Sequence, residues 1–265
     1  MDNSKRVTLI TGAAGGIGGA VAQRFIDDGH TVVITDIVED KLEAVGAEVG
    51  AKAIVADCTK RESVDSLIGA IVAEHGGLDT VIAAQGTSSP GTLSPKSEDA
   101  WFQALDTSLN ASYLLASASI RHLVERQGSI VMFTSTAGVF SAGPGGVGYT
   151  AAKAGVIGLM RWIARDFGPK GVRANAVAPG WTETPLSGFT INYLAEREGI
   201  SVEEARKLAV AHVPNRRFGQ PSEIASVCAF LASEDASMVN GHVLVADGGA
   251  AIVDTTTVAL DVPEA

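Results

Sequence analysis

The chain has 265 residues, 46% of them hydrophobic and 19% charged, which excludes a disordered polymer and suffices for one α/β domain with a buried core. A formal net charge of −10 leaves no basic stripe to neutralise phosphates, so nucleic acid is not an expected partner. Cys58 and Cys228 are the only two cysteines, too few for a metal cluster, and they read as structural thiols of a reducing compartment; no metal is expected.

Residues 1–6 run into the first strand without an apolar leader, and no stretch has the length of a membrane span, so the expectation is a cytoplasmic protein with no membrane partner. Val7–Thr11 is a short β-branched, apolar run that reads as a buried strand, and Gly12-Ala13-Ala14-Gly15-Gly16-Ile17-Gly18 follows at once. A helical pattern then places Ile17, Val21, Ala22, Phe25 and Ile26 on one face and ends near Asp28-Gly29. Strand, glycine turn and helix together form a phosphate site, because bare backbone and unpaired helix N–H groups can approach a pyrophosphate. The next strand, 31–35, ends in Asp36, with Ile37 after it and no Arg or Lys beside it. A carboxylate there accepts hydrogen bonds from ribose hydroxyls and repels a 2′-phosphate, which favours NAD over NADP.

Further strands are expected at 51–56, 78–83, 128–134, 171–178 and 241–246, alternating with helices, as in a parallel sheet with helical crossovers. No repeat or linker divides the chain, so 1–265 reads as a single domain. The glycine-rich stretch 143–148 is a loop before a helix that carries Tyr149 and Lys153, four residues apart and therefore on one face. A lysine charge about 4–5 Å from a phenol, at an effective dielectric of roughly 20, contributes on the order of 3–4 kcal/mol to the phenolate. Such a tyrosine exchanges protons with an alcohol or ketone well below its ordinary pKa of about 10. Residues 185–215 exceed an ordinary connection, and Ser201-Val202-Glu203-Glu204 marks a helix start within them, so the segment reads as a lid over a binding site. The segment from Gly249 to Ala265 is apolar enough to pack on something and too short to fold alone.

Taken in order, these segments resemble the short-chain dehydrogenase/reductase family from Val7 to Gly249. Thr11-Gly12-x-x-x-Gly16-x-Gly18 is similar to its cofactor loop, and Tyr149-x-x-x-Lys153 to its catalytic pair. Residues 130–138 resemble its fifth strand, with Ser135 at the catalytic serine. Asn175–Gly180 with Thr184 resembles the segment that meets the nicotinamide, and 217–225 and Asp247-Gly248-Gly249 its C-terminal signatures. The resemblance implies a Rossmann-type, doubly wound parallel sheet of about seven strands, helices on both faces, a helical lid at about 185–215, and a homotetramer. It implies hydride transfer between a secondary alcohol or ketone and nicotinamide. Tyr149 would be the acid/base, Ser135 would hold the substrate oxygen, and Lys153 would grip the nicotinamide ribose and lower the tyrosine pKa. The implied dinucleotide contacts are Gly12, Gly15, Gly16, Ile17, Gly18, Asp36, Ile37, Asp57, Cys58, Gly86, Tyr149, Lys153, Pro179, Gly180, Thr182 and Thr184. Asp57 reads equally as an ordinary strand-end turn residue. Ser135, Ala137, Phe140, Tyr149, Trp181, Leu186 and Phe189 are expected to line a mostly apolar substrate pocket, which suits a hydrophobic or cyclic alcohol.

Three departures accompany the resemblance. Ala83-Ala84-Gln85-Gly86 replaces the family's Asn-Asn-Ala-Gly. The relay asparagine falls on Ser108, with Asn110 about 200° further round a regular helix; either Ser108 holds the relay water or a local distortion brings Asn110 in. Ser135 and Tyr149 stand one residue further apart than is common, which Pro144-Gly145-Gly146 can absorb as a loop bulge. The sequence thus reads as an NAD(H)-dependent alcohol dehydrogenase or carbonyl reductase for a small molecule. The alternatives are an NADPH-dependent 3-oxoacyl-thioester reductase and a dinucleotide-binding protein without catalysis.

Overall fold

Each apolar run that carries no helical period becomes a strand. These are β1 (Val7–Thr11), β2 (Thr31–Thr35), β3 (Lys52–Ala53), β4 (Thr80–Ala83), β5 (Ser129–Phe133), β6 (Arg173–Pro179) and β7 (Val243–Ala246). The computed structural model describes residues 6–87, 90–143, 145–254 and 256–258. The strands form one seven-stranded sheet in the order β3-β2-β1-β4-β5-β6-β7, every neighbouring pair parallel. β1, β4 and β5 are buried along their whole length, because helices cover both faces of the sheet.

Alternation along the strands sorts their side chains into two cores. Leu9, Val33, Val81, Ile130 and Met132 face one way, against α3 (Arg61–His75), α5 (Ala111–Arg126) and α7 (Val147–Phe167). Ile10, Ile34, Ile82, Val131 and Phe133 face the other way, against α1 (Gly16–Asp27), α2 (Glu39–Val49) and α10 (Pro221–Ala232). Chain order reverses between β1 and β4, so a crevice opens outside their carboxyl ends, the usual place for a ligand in a doubly wound sheet.

The expected strand at 51–56 is shorter than its apolar run. Only Lys52–Ala53 forms a full ladder, although the Ile54 and Ala56 N–H groups still donate to Ile34 O (3.0 Å) and Asp36 O (3.2 Å). As the edge of the sheet, this segment has a neighbour on one side only. The lid forms as two helices, α8 (Pro185–Glu198) and α9 (Val202–Ala209), each opened by a reciprocal cap, Thr184 with Ser187 and Ser201 with Glu204. Ile191, Ala195, Ala205, Val210, Val213 and Phe218 give this excursion its own small core. The extra-residue bulge expected at 144–146 includes Pro144, which lies outside the described residues, as do residue 255 and 259–265 of the C-terminal segment. No helix among the described residues is long and apolar enough to cross a membrane.

Candidate active site

At the carboxyl end of β1 the glycines act by what they leave out. A Cβ on Gly18 would overlap the Gly12 carbonyl, and one on Gly12, at φ +67°, would sit 2.9 Å from Ala84 and Gln85 backbone atoms. Gly15 is the N-cap of α1 without a side-chain cap, and no acidic residue occupies the first turn, so the positive helix end stays open to an anion. The Ala13 N–H donates to Thr35 O at 3.2 Å, tying this loop to the end of β2.

There Asp36 is held by backbone. One carboxylate oxygen accepts from the Ile37 and Val38 N–H groups at 2.8 and 3.1 Å, and the other from Ala14 at 3.1 Å. Ile37 is exposed beside it. Asp57 also behaves as a turn residue: its carboxylate accepts from the Thr59 N–H and hydroxyl at 2.9 and 2.7 Å, and the Thr59 hydroxyl holds its pKa below the ordinary value. Burial pushes the neighbouring Cys58 thiol up to about 12, with Asp57 and Asp36 adding to the effect, so it stays neutral. Across the crevice, β6 ends at Pro179, and Gly180 passes so close to Asp247 that a Cβ would lie 2.7 Å from that side chain. Thr182 is buried, and its hydroxyl donates to Gly180 O at 3.2 Å. Thr184 caps α8 and reaches back to the glycine loop, where its methyl carbon would contact a Cβ on Gly16 at 3.5 Å. Loop 12–18, Asp36 and segment 179–184 thus line one trough.

Beside that trough, β5 delivers Ser135 as the N-cap of α6 (Thr136–Val139), and its oxygen accepts the Ala137 N–H at 3.1 Å. The capping role and the site role therefore coexist, since the Ser135 hydroxyl also hydrogen-bonds Tyr149. α7 carries Tyr149 and Lys153 on one face, with the ammonium 5.7 Å from the ring centroid. Lys153 is only 4% exposed and donates to Phe133 O at 2.9 Å, while its own carbonyl accepts the Thr134 hydroxyl at 2.7 Å. Both contacts escape sequence reasoning, because one is to a backbone oxygen and the other comes from a threonine that reads as ordinary strand.

The electrostatics correct one expectation. Burial pushes the Tyr149 phenol above its usual value and outweighs the opposing Ser135 hydrogen bond, so the lysine does not give a depressed tyrosine pKa here. The desolvated partner is Lys153 itself, which burial pulls down to about 8.

The two candidates for the relay position stand on opposite sides of the helix. Residues 105–110 form a π turn between α4 (Glu98–Ala104) and α5; Ser108 is fully buried, while Asn110 stays exposed and bonded to Asp106 at 2.7 Å. The helix is distorted here, but the distortion does not bring Asn110 inward. The Ser108 hydroxyl has no hydrogen-bond partner among the described residues. A Cβ on Gly86, at φ +148°, would lie 2.9 Å from the Ser108 hydroxyl and 3.0 Å from Lys153 Nζ, so both groups flank that bare Cα.

Of the pocket residues, Ala137 is buried, Phe140 just after α6 is 58% exposed, and Leu186 and Phe189 on α8 are 42 and 63% exposed. Trp181 is half-buried and packs against the lid's own core, its ring 5.5 Å from that of Phe218. Arg206 lies over the other part of this stack, 4.5 Å from the Phe218 ring, and pairs with Glu183.

The chain matches the family model described as enoyl-(acyl carrier protein) reductase over residues 12–251. It is 40% identical to protein MoaE of Klebsiella aerogenes, covering 96% of this chain and 98% of that one. It is 34% identical to the 3-oxoacyl-[acyl-carrier-protein] reductase FabG of Thermotoga maritima, covering 93% and 98%. Among solved structures, the F189W actinorhodin polyketide ketoreductase with NADPH superposes with a TM-score of 0.89 at 28% identity, covering 94% of this chain and 99% of that one. Levodione reductase gives 0.87 at 30% identity, with the same 94% and 99% coverage.

Proposed function

The chain belongs to the short-chain dehydrogenase/reductase family of nicotinamide-dependent oxidoreductases, and on that premise we propose that it interconverts a neutral ketone and its secondary alcohol with NAD(H). The observation that carries the cofactor choice is Asp36, held by three backbone N–H groups at the rim of the trough, where a 2′-phosphate would meet its charge. The glycine cradle and the uncapped start of α1 fit a dinucleotide pyrophosphate, with Thr182 and Thr184 on the opposite wall. When bound, the nicotinamide supplies the hydride acceptor or donor. The chain's part is to orient the substrate oxygen and move its proton. Ser135 holds that oxygen through its hydroxyl, and Tyr149 exchanges the proton with it. Because burial favours the neutral phenol, Tyr149 is set up as a proton donor toward a carbonyl, with the Lys153 ammonium on its ring side.

The rim supports an uncharged substrate. Residues 84–95, 134–152 and 184–195 contain no Asp, Glu, Lys, Arg or His, so the loop after β4, the segment leading to Tyr149 and the first three turns of α8 offer no cation to a carboxylate or phosphate; the lid's cations, Arg197, Arg206 and Lys207, lie beyond these stretches. A second reading, 3-oxoacyl-thioester reduction, is favoured by the name of the Thermotoga relative. A carrier-bound thioester brings a phosphate arm, and the bare rim and the net charge of −10 weigh against it. Kinetics with both reduced cofactors against neutral cyclic ketones, 3-oxo acids and 3-oxoacyl thioesters test the proposal. NADH and a neutral ketone should give the highest kcat/KM, and Asp36→Ala should narrow the NADH/NADPH ratio by about tenfold or more. Equal efficiency with NADPH in the unaltered enzyme rejects the cofactor assignment, and preference for the thioester rejects the substrate class.

A further inference from the structure

The departure at 83–86 acquires a role once its side chain is traced. Gln85 leaves the end of β4 and lies between the cofactor loop and the π turn. Its amide oxygen accepts the hydroxyl of Thr11, the residue just before Gly12. Its amide nitrogen donates to the Ser112 hydroxyl at 3.1 Å, and that hydroxyl donates to the Ser108 carbonyl at 2.6 Å. The donors run one way along this chain, from Thr11 to Gln85 to Ser112 to Ser108. Flipping the amide would put its oxygen against Ser112 and claim the proton that now goes to the Ser108 carbonyl. Thr11 and Ser108 are fully buried and Ser112 nearly so, so a broken link leaves a polar group without water.

The π turn makes this chain matter to the site. A π turn displaces the regular helical hydrogen bonds by one residue. Here the Ala111 N–H is shared between the Asp106 and Ser108 carbonyls, and the Ser112 hydroxyl reaches back one turn to add a second donor to the Ser108 carbonyl. If the turn relaxed to regular helix, residues on its two sides would rotate against each other by about 100° and carry the Ser108 hydroxyl away from Gly86 and Lys153.

Resting on the oxidoreductase reading above, we infer that Gln85 is a positioning residue that locks the π turn in register and thereby keeps the Ser108 hydroxyl facing Lys153. It also couples that register to the cofactor loop, since Thr11 stands at the loop's entrance. The residue acts through Ser112.

Three variants test it: Gln85→Leu, Ser112→Ala, which removes a single oxygen and severs the same chain if the leucine variant does not fold, and Ser108→Ala. The first readout is the titration of Lys153, followed by NMR of the protein labelled at the lysine ε-carbon, which needs no turnover. Loss of the facing Ser108 dipole disfavours the ammonium, so Lys153 should titrate about one pH unit lower in all three variants than in the unaltered protein. The second is kinetic: kcat should fall about tenfold to a hundredfold in Gln85→Leu with the dinucleotide KM held within about twofold, and adding Ser108→Ala should cost little more. A Lys153 titration unchanged in Gln85→Leu and Ser112→Ala overturns the inference, as does an additive double variant. Absence of turnover in the unaltered protein against the full carbonyl panel would instead remove the functional reading and leave the titration to decide the role of Gln85.

Discussion

At the residue scale the site turns on which of two adjacent groups gives up a proton first. Tyr149 is pushed up by burial, whereas Lys153 is pulled down to about 8, so the pair loses its first proton near the lysine's value and titrates as a unit. Carbonyl reduction consumes a proton from this pair and alcohol oxidation returns one. Reduction should therefore be flat at neutral pH and fall as pH rises through about 8, while oxidation rises over the same range. Rate profiles in both directions check this, and an oxidation limb that begins only near the ordinary tyrosine pKa of about 10 rejects the pairing. Tyr149→Phe keeps the ring's packing and removes the proton carrier, so turnover should drop by at least about a thousandfold while dinucleotide affinity, measured by fluorescence or calorimetry, changes little. A phenylalanine variant that retained most of its kcat would show that another group moves the proton.

At the scale of elements, what the sequence displays depends on whether the cause is local. β1, β2, β4 and β5 are legible because a strand buried on both faces must be a continuous apolar run, and the glycine loop because only glycine fits the Gly12 and Gly18 approaches. The second lid helix announces itself through its Ser201–Glu204 cap, whereas the Thr184–Ser187 cap of α8 emerges only in the structure. β3 is truncated because its partner lies on one side only, which no local pattern encodes. The π turn at 105–110 is invisible for the same reason: Leu105–Asn110 reads as ordinary helix, and the turn is sustained by Gln85 on another element. Trp181 was legible as a large aromatic near the site, but its contact with Phe218 depends on a lid core assembled from distant residues. The turn makes its own prediction. Ser108→Ala should lower kcat about tenfold with dinucleotide binding intact, and Asn110→Ala, which loses only an exposed bond to Asp106, should do little. The reverse ranking would mean that the helix changes register during turnover.

At the scale of the whole molecule, the site is built against the stability of the fold. Lys153 is a lysine enclosed between α7 and the end of β5, compensated chiefly by the Phe133 carbonyl, and burial lowers its pKa from 10.5 to about 8. That difference corresponds to about 3 kcal/mol of cost in holding the charged form inside the folded chain. The sign follows from proton counts. Below pH 8 both folded and unfolded chains carry the proton, and the cost is constant. Between about 8 and 10.5 the unfolded lysine keeps its proton while the folded one releases it, so the unfolded state binds more protons and this group's contribution to stability rises with pH. Lys153→Met removes the titration while filling similar volume, at the expense of a carbonyl left without its donor. Whatever the fixed penalty of that lost bond, melting temperatures measured at pH 7 and 9.5 should converge or diverge by the titrating part alone. The variant should lose about 2 kcal/mol of relative advantage over the unaltered protein across that interval, or roughly 4–8 °C for a chain of this size. Parallel melting curves across the interval would mean that Lys153 is not desolvated in solution. The enclosure that draws its pKa toward neutrality, and with it the proposed proton exchange, would then have to be placed elsewhere.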